Sequence, residues 1–155
     1  MQTVRSLLPL LTLIAAGSVT AEVRHYPASL PPSSSAPLPA GAAPPFSAAV
    51  LANDTLYVAG TIDLDPATGK IAATPEEGAR VVLDSIKKTV EGAGFTMNNL
   101  VWVQVFCADL SWYPAFNKVY VTYFKGPFPA RAFLGVDHLL ANAHYEVMGI
   151  AVKPR

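Results

Sequence analysis

Residues 126–136 read GPFPARAFLGV and place one arginine near the start of an apolar segment, just after two prolines. Proline fixes its own φ and biases the preceding residue towards extended geometry, so a β-strand is predicted here with Arg131 among its first residues. A second apolar strand is predicted for residues 145–152, YEVMGIAV, where Glu146 lies on one face with three apolar side chains. A carboxylate on an apolar face is costly unless a partner offsets the charge. Arg131 is the nearest candidate cation in the sequence, so these two residues form the candidate functional pair.

Length and composition predict one domain with a substantial core. The chain has 155 residues, equal numbers of acidic and basic side chains and a pI near 6.8. This balance argues against a nucleic-acid surface, since such surfaces are strongly basic. Cys107 is the single cysteine of the chain, so it cannot form an internal disulfide. Its place in an alternating apolar strand predicts a small buried core residue rather than a nucleophile.

Three regions follow from the distribution of residue types. Residues 1–21 are predicted to be a secretory signal peptide, with Arg5 before an apolar run and small residues before the cleavage point. An uncleaved anchor is the alternative. Residues 22–45, rich in proline, serine and alanine, are predicted to be a disordered leader, and residues 46–155 the folded domain. We therefore expect an exported protein, periplasmic or secreted, with no membrane association after cleavage.

The clearest predicted helix begins after Thr74, with Pro75 at its first position and Glu77 completing a capping box. An apolar stripe follows at spacings of three and four residues, as in a helix that packs on a core. The order β-β-α-β-α-β-β predicts an α+β domain with its helices on one face of a sheet. The other predicted elements are strands at 47–51, 55–60 and 100–108, and a helix at 112–124.

The sequence offers little support for other kinds of site. His25, His138 and His144 lack histidine or cysteine partners at ligand spacing, so we predict no metal site, and a structural or surface role for His138 and His144. No glycine-rich loop opens a helix, and no serine occupies a nucleophile elbow.

Two interpretations of Arg131 and Glu146 remain open from the residues alone. In the functional one, the arginine is a bidentate clamp for a substrate carboxylate and the glutamate is a general acid/base or holds a water. In the structural one, the two form a buried ion pair that fixes strand register. Ion pairs perturb pKa values without performing chemistry, so the residue types do not separate the two.

From Pro45 to Val152 the chain resembles the Rid (YjgF) family of reactive-intermediate deaminases. That resemblance implies a chorismate-mutase-like (RidA-like) α+β fold assembled as a homotrimer, with sites in the clefts between subunits. It also implies hydrolysis of 2-iminoalkanoates and their enamine tautomers to 2-oxo acids and ammonia, without a cofactor. The matching stretches are residues 56–62, 65–69, 105–106, 109–111, 117–120, 123–124, 129–131, 145–147 and 150–152.

The resemblance also implies roles for individual residues. Arg131 matches the arginine that holds the substrate carboxylate, and Glu146 matches the acid near the attacking water. Gly60 matches the glycine of the family's Ser-Gly-Gln segment.

Several positions of the implied substrate pocket depart from the family pattern. Ala59 and Thr61 replace the serine and glutamine beside Gly60, Phe46 replaces a tyrosine, and Phe133 stands where threonine or cysteine is usual. Each lost hydroxyl forfeits about 0.5–1.5 kcal/mol of hydrogen bonding. We therefore expect a shifted substrate preference or a slower enzyme, with Thr61 lending its hydroxyl where the family has glutamine.

Three functions are compatible with this resemblance. The preferred one is an exported imine/enamine deaminase. The second is a protein that binds small carboxylates such as 2-oxo acids in the same cleft without turnover. The third, a ribonuclease or translation inhibitor, is disfavoured by the neutral charge and the lack of a basic stripe.

Overall fold

The computed structural model describes residues 21–29 and 43–153. Within these residues, six strands form a single sheet and two α-helices pack against it. Nearly all of the predicted signal peptide and residues 30–42 of the predicted leader lie outside the described residues. The elements are β1 (Val23–Pro27), β2 (Ser47–Ala52), β3 (Thr55–Ile62), α1 (Pro75–Gly92), β4 (Leu100–Cys107), α2 (Tyr113–Tyr120), β5 (Ala130–Gly135) and β6 (Tyr145–Val152).

The sheet has the strand order β1-β2-β3-β6-β4-β5, so β5 and β1 are its two edges. All neighbouring strands are antiparallel except β4 and β5, which are parallel. Parallel strands need a crossover, and α2 provides it. The predicted α+β class, with the helices on one face of a sheet, is confirmed.

Helix α1 begins as the sequence predicts. Thr74 is the N-cap, and its Oγ1 accepts a hydrogen bond from the Glu77 backbone N–H at 3.3 Å. Pro75 occupies the first turn, where its missing N–H costs nothing. Every member of the predicted apolar stripe is at most 8% exposed and belongs to the core: Ala79, Val82, Leu83, Ile86, Val90 and Ala93.

Alternation along the strands separates a covered face from an open one. Residues of β3, β4 and β6 that face the helices are buried, including the predicted core residue Cys107. Their neighbours in sequence point to the other face and are partly exposed, with Tyr57 at 51% and Trp102 at 37%. The open face is therefore an apolar surface that the helices leave uncovered.

Two predictions about element boundaries are wrong. Residues Val23–Pro27, predicted to be part of a disordered leader, form β1 and pair antiparallel with β2. This strand lacks an alternating pattern of its own; its partner and the packing of Tyr26 on the core define it. The predicted helix 112–124 is shorter, because 3₁₀ turns at Leu110–Trp112 and Val121–Tyr123 flank α2. No helix among residues 21–29 and 43–153 has the length and apolar character needed to cross a membrane.

Candidate functional site

Arg131 lies on the edge strand β5, and its guanidinium rests against α2. Its Nη2 donates to Asn117 Oδ1 at 2.8 Å and to the Tyr113 hydroxyl at 3.4 Å. The guanidinium carbon is 4.5 Å from the centre of the Tyr120 ring. A guanidinium stacked on an aromatic face and tied to an amide oxygen is fixed in orientation, as an anion clamp requires.

Among the described residues, one nitrogen of this guanidinium has no hydrogen-bond partner. Nη1 of Arg131 is buried and lacks a hydrogen-bond partner among the described residues, and so does the Tyr120 hydroxyl. Burial raises the pKa of Tyr120 to about 12, with the nearby Arg131 charge opposing the shift, so the hydroxyl remains a donor. A buried donor without an acceptor is costly, which makes this cation the natural place for an oxygen-rich anion.

Phe133 stands on the same face of β5, two residues beyond Arg131. Its ring makes edge contacts with Tyr113 at 4.8 Å and with Phe116 at 5.4 Å between centroids. The guanidinium carbon of Arg131 is 5.7 Å from the Phe133 ring centre. The structure thus places these two predicted site residues together, in an aromatic wall around the cation.

Glu146 lies on β6, on the open face of the sheet. It pairs with Ile62 of β3 on one side and with Phe106 of β4 on the other. Burial among these neighbours raises the pKa of its carboxyl group. A carboxyl with a raised pKa exchanges protons more readily near neutral pH, as a general acid/base must.

Gly60 lies directly against the Glu146 side chain. A Cβ at position 60 would overlap the Oε1 atom of Glu146 and come within 3.1 Å of Cδ. The β3–β6 register shifts between Val58 and Thr61, so Ala59 and Gly60 form an irregularity beside the acid. The register pairs Thr61 with Val147, on the helix-covered face, whereas Ile62 shares the face of Glu146. Gly60 and Glu146 are therefore brought together, and Thr61 is turned away from that carboxylate.

The predicted pairing of Arg131 with Glu146 is wrong within one chain. Arg131 pairs with Val103 of β4, and Glu146 with Phe106, three positions along the same strand. Positions of opposite parity face opposite sides of a sheet, so the guanidinium lies on the helix side and the carboxylate on the open side. The ion pairs among the described residues do not join them. The structural interpretation as a register-fixing ion pair is therefore excluded for the single chain.

The remaining predicted pocket residue, Phe46, is 51% exposed just before β2, four strands away from β5. One chain thus carries two separate groups. We call Arg131 and Phe133, with their α2 neighbours, the clamp group. We call Glu146 and Gly60 the acid group.

A surface groove of about 530 Å³ lies elsewhere, against α1 and the chain after α2. Its lining mixes both charges and includes Arg80, Asp84 and Lys87, but neither Arg131 nor Glu146. Neither the clamp group nor the acid group therefore lies in this groove. This is the arrangement expected if the site is complete only when chains associate.

Asp63, a fully buried acid directly after β3, was not predicted from the sequence. Its Oδ1 accepts from the backbone N–H groups of His144 and Tyr145 at 2.8 and 3.1 Å, and its Oδ2 lies 2.6 Å from His144 Nδ1. Gly78 of α1 leaves room for this pair, since a Cβ there would lie 2.6 Å from Oδ2. Asp63 thus holds the start of β6 directly before Glu146. The signal in the sequence is an acidic residue directly after an apolar strand.

The structural or surface role predicted for His144 and His138 agrees with their positions. His144 is tied to Asp63 and packs against Trp112 at 4.9 Å, while His138 is exposed beside Asp137. Residues 21–29 and 43–153 contain no group of three or more histidine, cysteine or acidic side chains placed to hold a metal ion.

Comparison with known proteins identifies relatives over most of the chain. The family model described as endoribonuclease L-PSP matches residues 35–153. A RutC family protein of Sulfurisphaera tokodaii is 39% identical over 119 residues, covering 76% of this chain and 93% of the relative. The human 2-iminobutanoate/2-iminopropanoate deaminase is 34% identical over 114 residues, covering 73% and 83%. The crystal structure of RidA from an Antarctic Psychrobacter superposes with a TM-score of 0.72 at 28% identity, covering 84% of this chain and all of that one.

Proposed function

The chain belongs to the endoribonuclease L-PSP family, and on that premise we propose that it is a cofactor-independent deaminase of 2-imino acids and their enamine tautomers. The reaction adds water across the C=N bond and releases ammonia: R–C(=NH)–COO⁻ + H₂O gives R–CO–COO⁻ + NH₃. Relatives named 2-iminobutanoate/2-iminopropanoate deaminase at 34–35% identity support this activity. The observation that carries the proposal is the Arg131 guanidinium, fixed by Asn117 and with a buried Nη1 that lacks a partner among the described residues.

Arg131 is the carboxylate anchor in this proposal. Its guanidinium is planar and oriented by the Tyr120 ring and the Asn117 amide, so a carboxylate meets donors whose positions are already set. Anchoring the carboxylate positions the adjacent imine carbon for attack, and such orientation lowers the entropic part of the barrier.

Glu146 is the general acid/base in this proposal. Its carboxylate orients the attacking water and accepts a proton from it, and the protonated carboxyl then supplies a proton to the departing nitrogen. A positioned group of this kind contributes about 10²- to 10⁴-fold in rate. The raised pKa caused by burial favours both steps near neutral pH, because it brings the protonated and ionised forms closer in free energy.

Association of chains is needed to join the two groups. The acid group lies on the apolar open face, and the clamp group lies at the β5 edge on the helix side. We infer a homotrimer in which the open faces cover one another and the clamp group of one subunit lies beside the acid group of the next. The substrate then binds in the cleft between subunits, where we place Phe46 and Ala59 as further lining residues. The side chain of Thr61 lies on the helix-covered face and does not face the Glu146 carboxylate.

The residues that line the cleft predict a substrate preference that differs from the family pattern. Phe133 fills space beside Arg131 with a ring, and Phe46 and Ala59 carry no hydroxyl. The pocket is therefore more apolar than the family pattern. We expect slower turnover or a shifted choice of imine.

We further propose that the protein is exported. The support is the sequence of residues 1–21, with its basic start, apolar run and small residues before the cleavage point. Fusion of residues 1–25 to a reporter that is active only after export tests this. Retention of the reporter in the cytoplasm would contradict it.

The activity is tested by ammonia release from imines generated in situ by an amino-acid oxidase. We expect release above the spontaneous rate by the wild type and its loss in Arg131→Ala. Arg80→Ala, which removes an exposed arginine of α1 outside both groups, is the matched control and should retain activity. Ammonia release by the wild type no faster than the spontaneous rate, for each of several imines, would refute the deaminase.

A second candidate, binding of small carboxylates without turnover, is favoured by the missing hydroxyls at Phe46 and Ala59. Calorimetry with 2-oxo acids separates the two functions. Binding that depends on Arg131, without ammonia release, identifies the binding protein. Cleavage of RNA that persists in Arg131→Ala would instead support the ribonuclease, which the zero net charge disfavours.

A further inference from the structure

The first turn of α2 places a phenol hydroxyl beside the clamp arginine. The Tyr113 oxygen accepts a hydrogen bond from Arg131 Nη2 at 3.4 Å. A phenol oxygen offers a limited number of acceptor positions and one proton. Because the oxygen already accepts from the guanidinium, which can only donate, the proton of Tyr113 is left to point towards another acceptor.

The hydroxyl is both fixed and reachable. The Tyr113 ring packs edge-on against Phe133 at 4.8 Å, and the Asn117 oxygen ties down the same guanidinium nitrogen at 2.8 Å. Tyr113 nevertheless remains 43% exposed, whereas Arg131 Nη1 is buried. An anion approaching the guanidinium therefore meets the Tyr113 hydroxyl at the exposed rim of the clamp group.

We propose that Tyr113 is a substrate-binding residue whose hydroxyl donates a hydrogen bond to the carboxylate that Arg131 holds. This inference rests on the proposed function and specifies its ligand class: imino and oxo acids with a free carboxylate next to the reacting carbon. Esters and amides of the same acids lack the second anionic oxygen and bind poorly. An arginine and a phenol converging on one carboxylate provide donors of different acidity, which makes binding dependent on pH.

The titration of Tyr113 supplies the direction of that dependence. The hydrogen bond from Asn117 and the positive charge of Arg131 lower the pKa of Tyr113 below its ordinary value of 10.0. Arg131 on β5 is the charged group that faces the hydroxyl, and the other titratable neighbour of this guanidinium, Tyr120, has its pKa raised to about 12. Loss of the Tyr113 proton removes a donor and adds a negative charge. Carboxylate affinity therefore falls as the pH rises, with a midpoint below 10.0.

The test measures the dissociation constant of pyruvate for the purified protein by calorimetry between about pH 7 and about pH 10, the range in which tyrosines titrate. We compare the wild type with Tyr113→Phe, which keeps the ring and removes the hydroxyl. Loss of one hydrogen bond to a charged group should weaken binding about 10-fold at neutral pH. Tyr113→Phe should also abolish the alkaline loss of affinity. The control is Tyr123→Phe, whose hydroxyl bonds to Asp84 in the separate groove and should leave both quantities unchanged.

The outcomes distinguish this inference from the proposed function. If the wild type binds pyruvate and Tyr113→Phe binds it equally at every pH, the role of Tyr113 is refuted and the deaminase stands. If the wild type neither binds 2-oxo acids nor releases ammonia, both fall. If Tyr113→Phe does not fold, as judged by circular dichroism, the pH profile of the wild type decides: affinity that stays constant up to about pH 10, the ordinary tyrosine value, refutes the role.

Discussion

Replacement of Asp63 by alanine is expected to be among the most damaging single changes to this fold. The side chain is fully buried and serves three donors: the backbone N–H groups of His144 and Tyr145 and the ring of His144. Each buried donor left without an acceptor costs about 1–3 kcal/mol, and water reaches part-buried His144 more easily than buried Tyr145. We therefore expect a loss of about 3–5 kcal/mol in the free energy of unfolding, the range found when a buried pair is broken.

The assay is urea unfolding followed by tryptophan fluorescence, with both proteins at the same subunit concentration because association adds to apparent stability. Trp112 packs against His144 at 4.9 Å and reports on this region directly. The chain contains a matched control, the pair of Asp137 and His138, which has the same residue types at 3.0 Å but is almost fully exposed. Asp137→Ala should change stability by no more than about 0.5 kcal/mol. A loss below about 1 kcal/mol for Asp63→Ala, or equal losses in both variants, would refute the reasoning.

Two further predictions concern the acid group. Gly60→Ala should sharply reduce ammonia release, because its Cβ displaces the Glu146 carboxylate, whereas Gly92→Ala, with no atom within 4 Å of the new Cβ, should be neutral; equal activities would contradict this. Burial raises the pKa of Glu146 above its ordinary value of 4.5, so ionising this side chain costs more free energy in the folded protein than in the unfolded chain. The folded state therefore loses stability as the pH rises from the unfolded pKa through the folded one. Glu146→Gln should therefore gain stability relative to wild type as the pH rises from 4.5 upwards, measured by urea unfolding at several pH values; a constant or opposite difference would count against it.

Local signals in the sequence were sufficient for most of the secondary structure. The Thr74 cap, the proline that follows it and the apolar stripe of α1 are all properties of neighbouring residues, and they fix that helix. Alternation correctly predicted which residues share a face in β6 and, from Trp102 onwards, in β4. Val101 was predicted on the buried face and is exposed, since the register shifts between Leu100 and Trp102. β1 was missed because pairing with β2, some twenty residues further along the chain, defines it.

Local sequence patterns could not predict that Arg131 and Glu146 lie on opposite faces of the sheet. Alternation fixes the two faces of each strand but leaves open which face of one strand adjoins which face of the next. The partners on β4, Val103 and Phe106, differ by an odd number of positions, and only the register reveals this. The role of Asp63 could not be predicted for a similar reason, since the groups that donate hydrogen bonds to it lie about eighty residues away in the sequence.

The β1 edge of the sheet is poorly suited to accept another strand. β1 is short, ends in Pro27 without an N–H to donate, shifts register between Tyr26 and Pro27, and carries exposed Arg24 and His25. These are the features by which natural sheets discourage edge-to-edge growth. An edge with these features does not readily pair with the edge of another sheet, which works against open-ended growth through β1. β1 therefore has the features of an edge strand that resists aggregation.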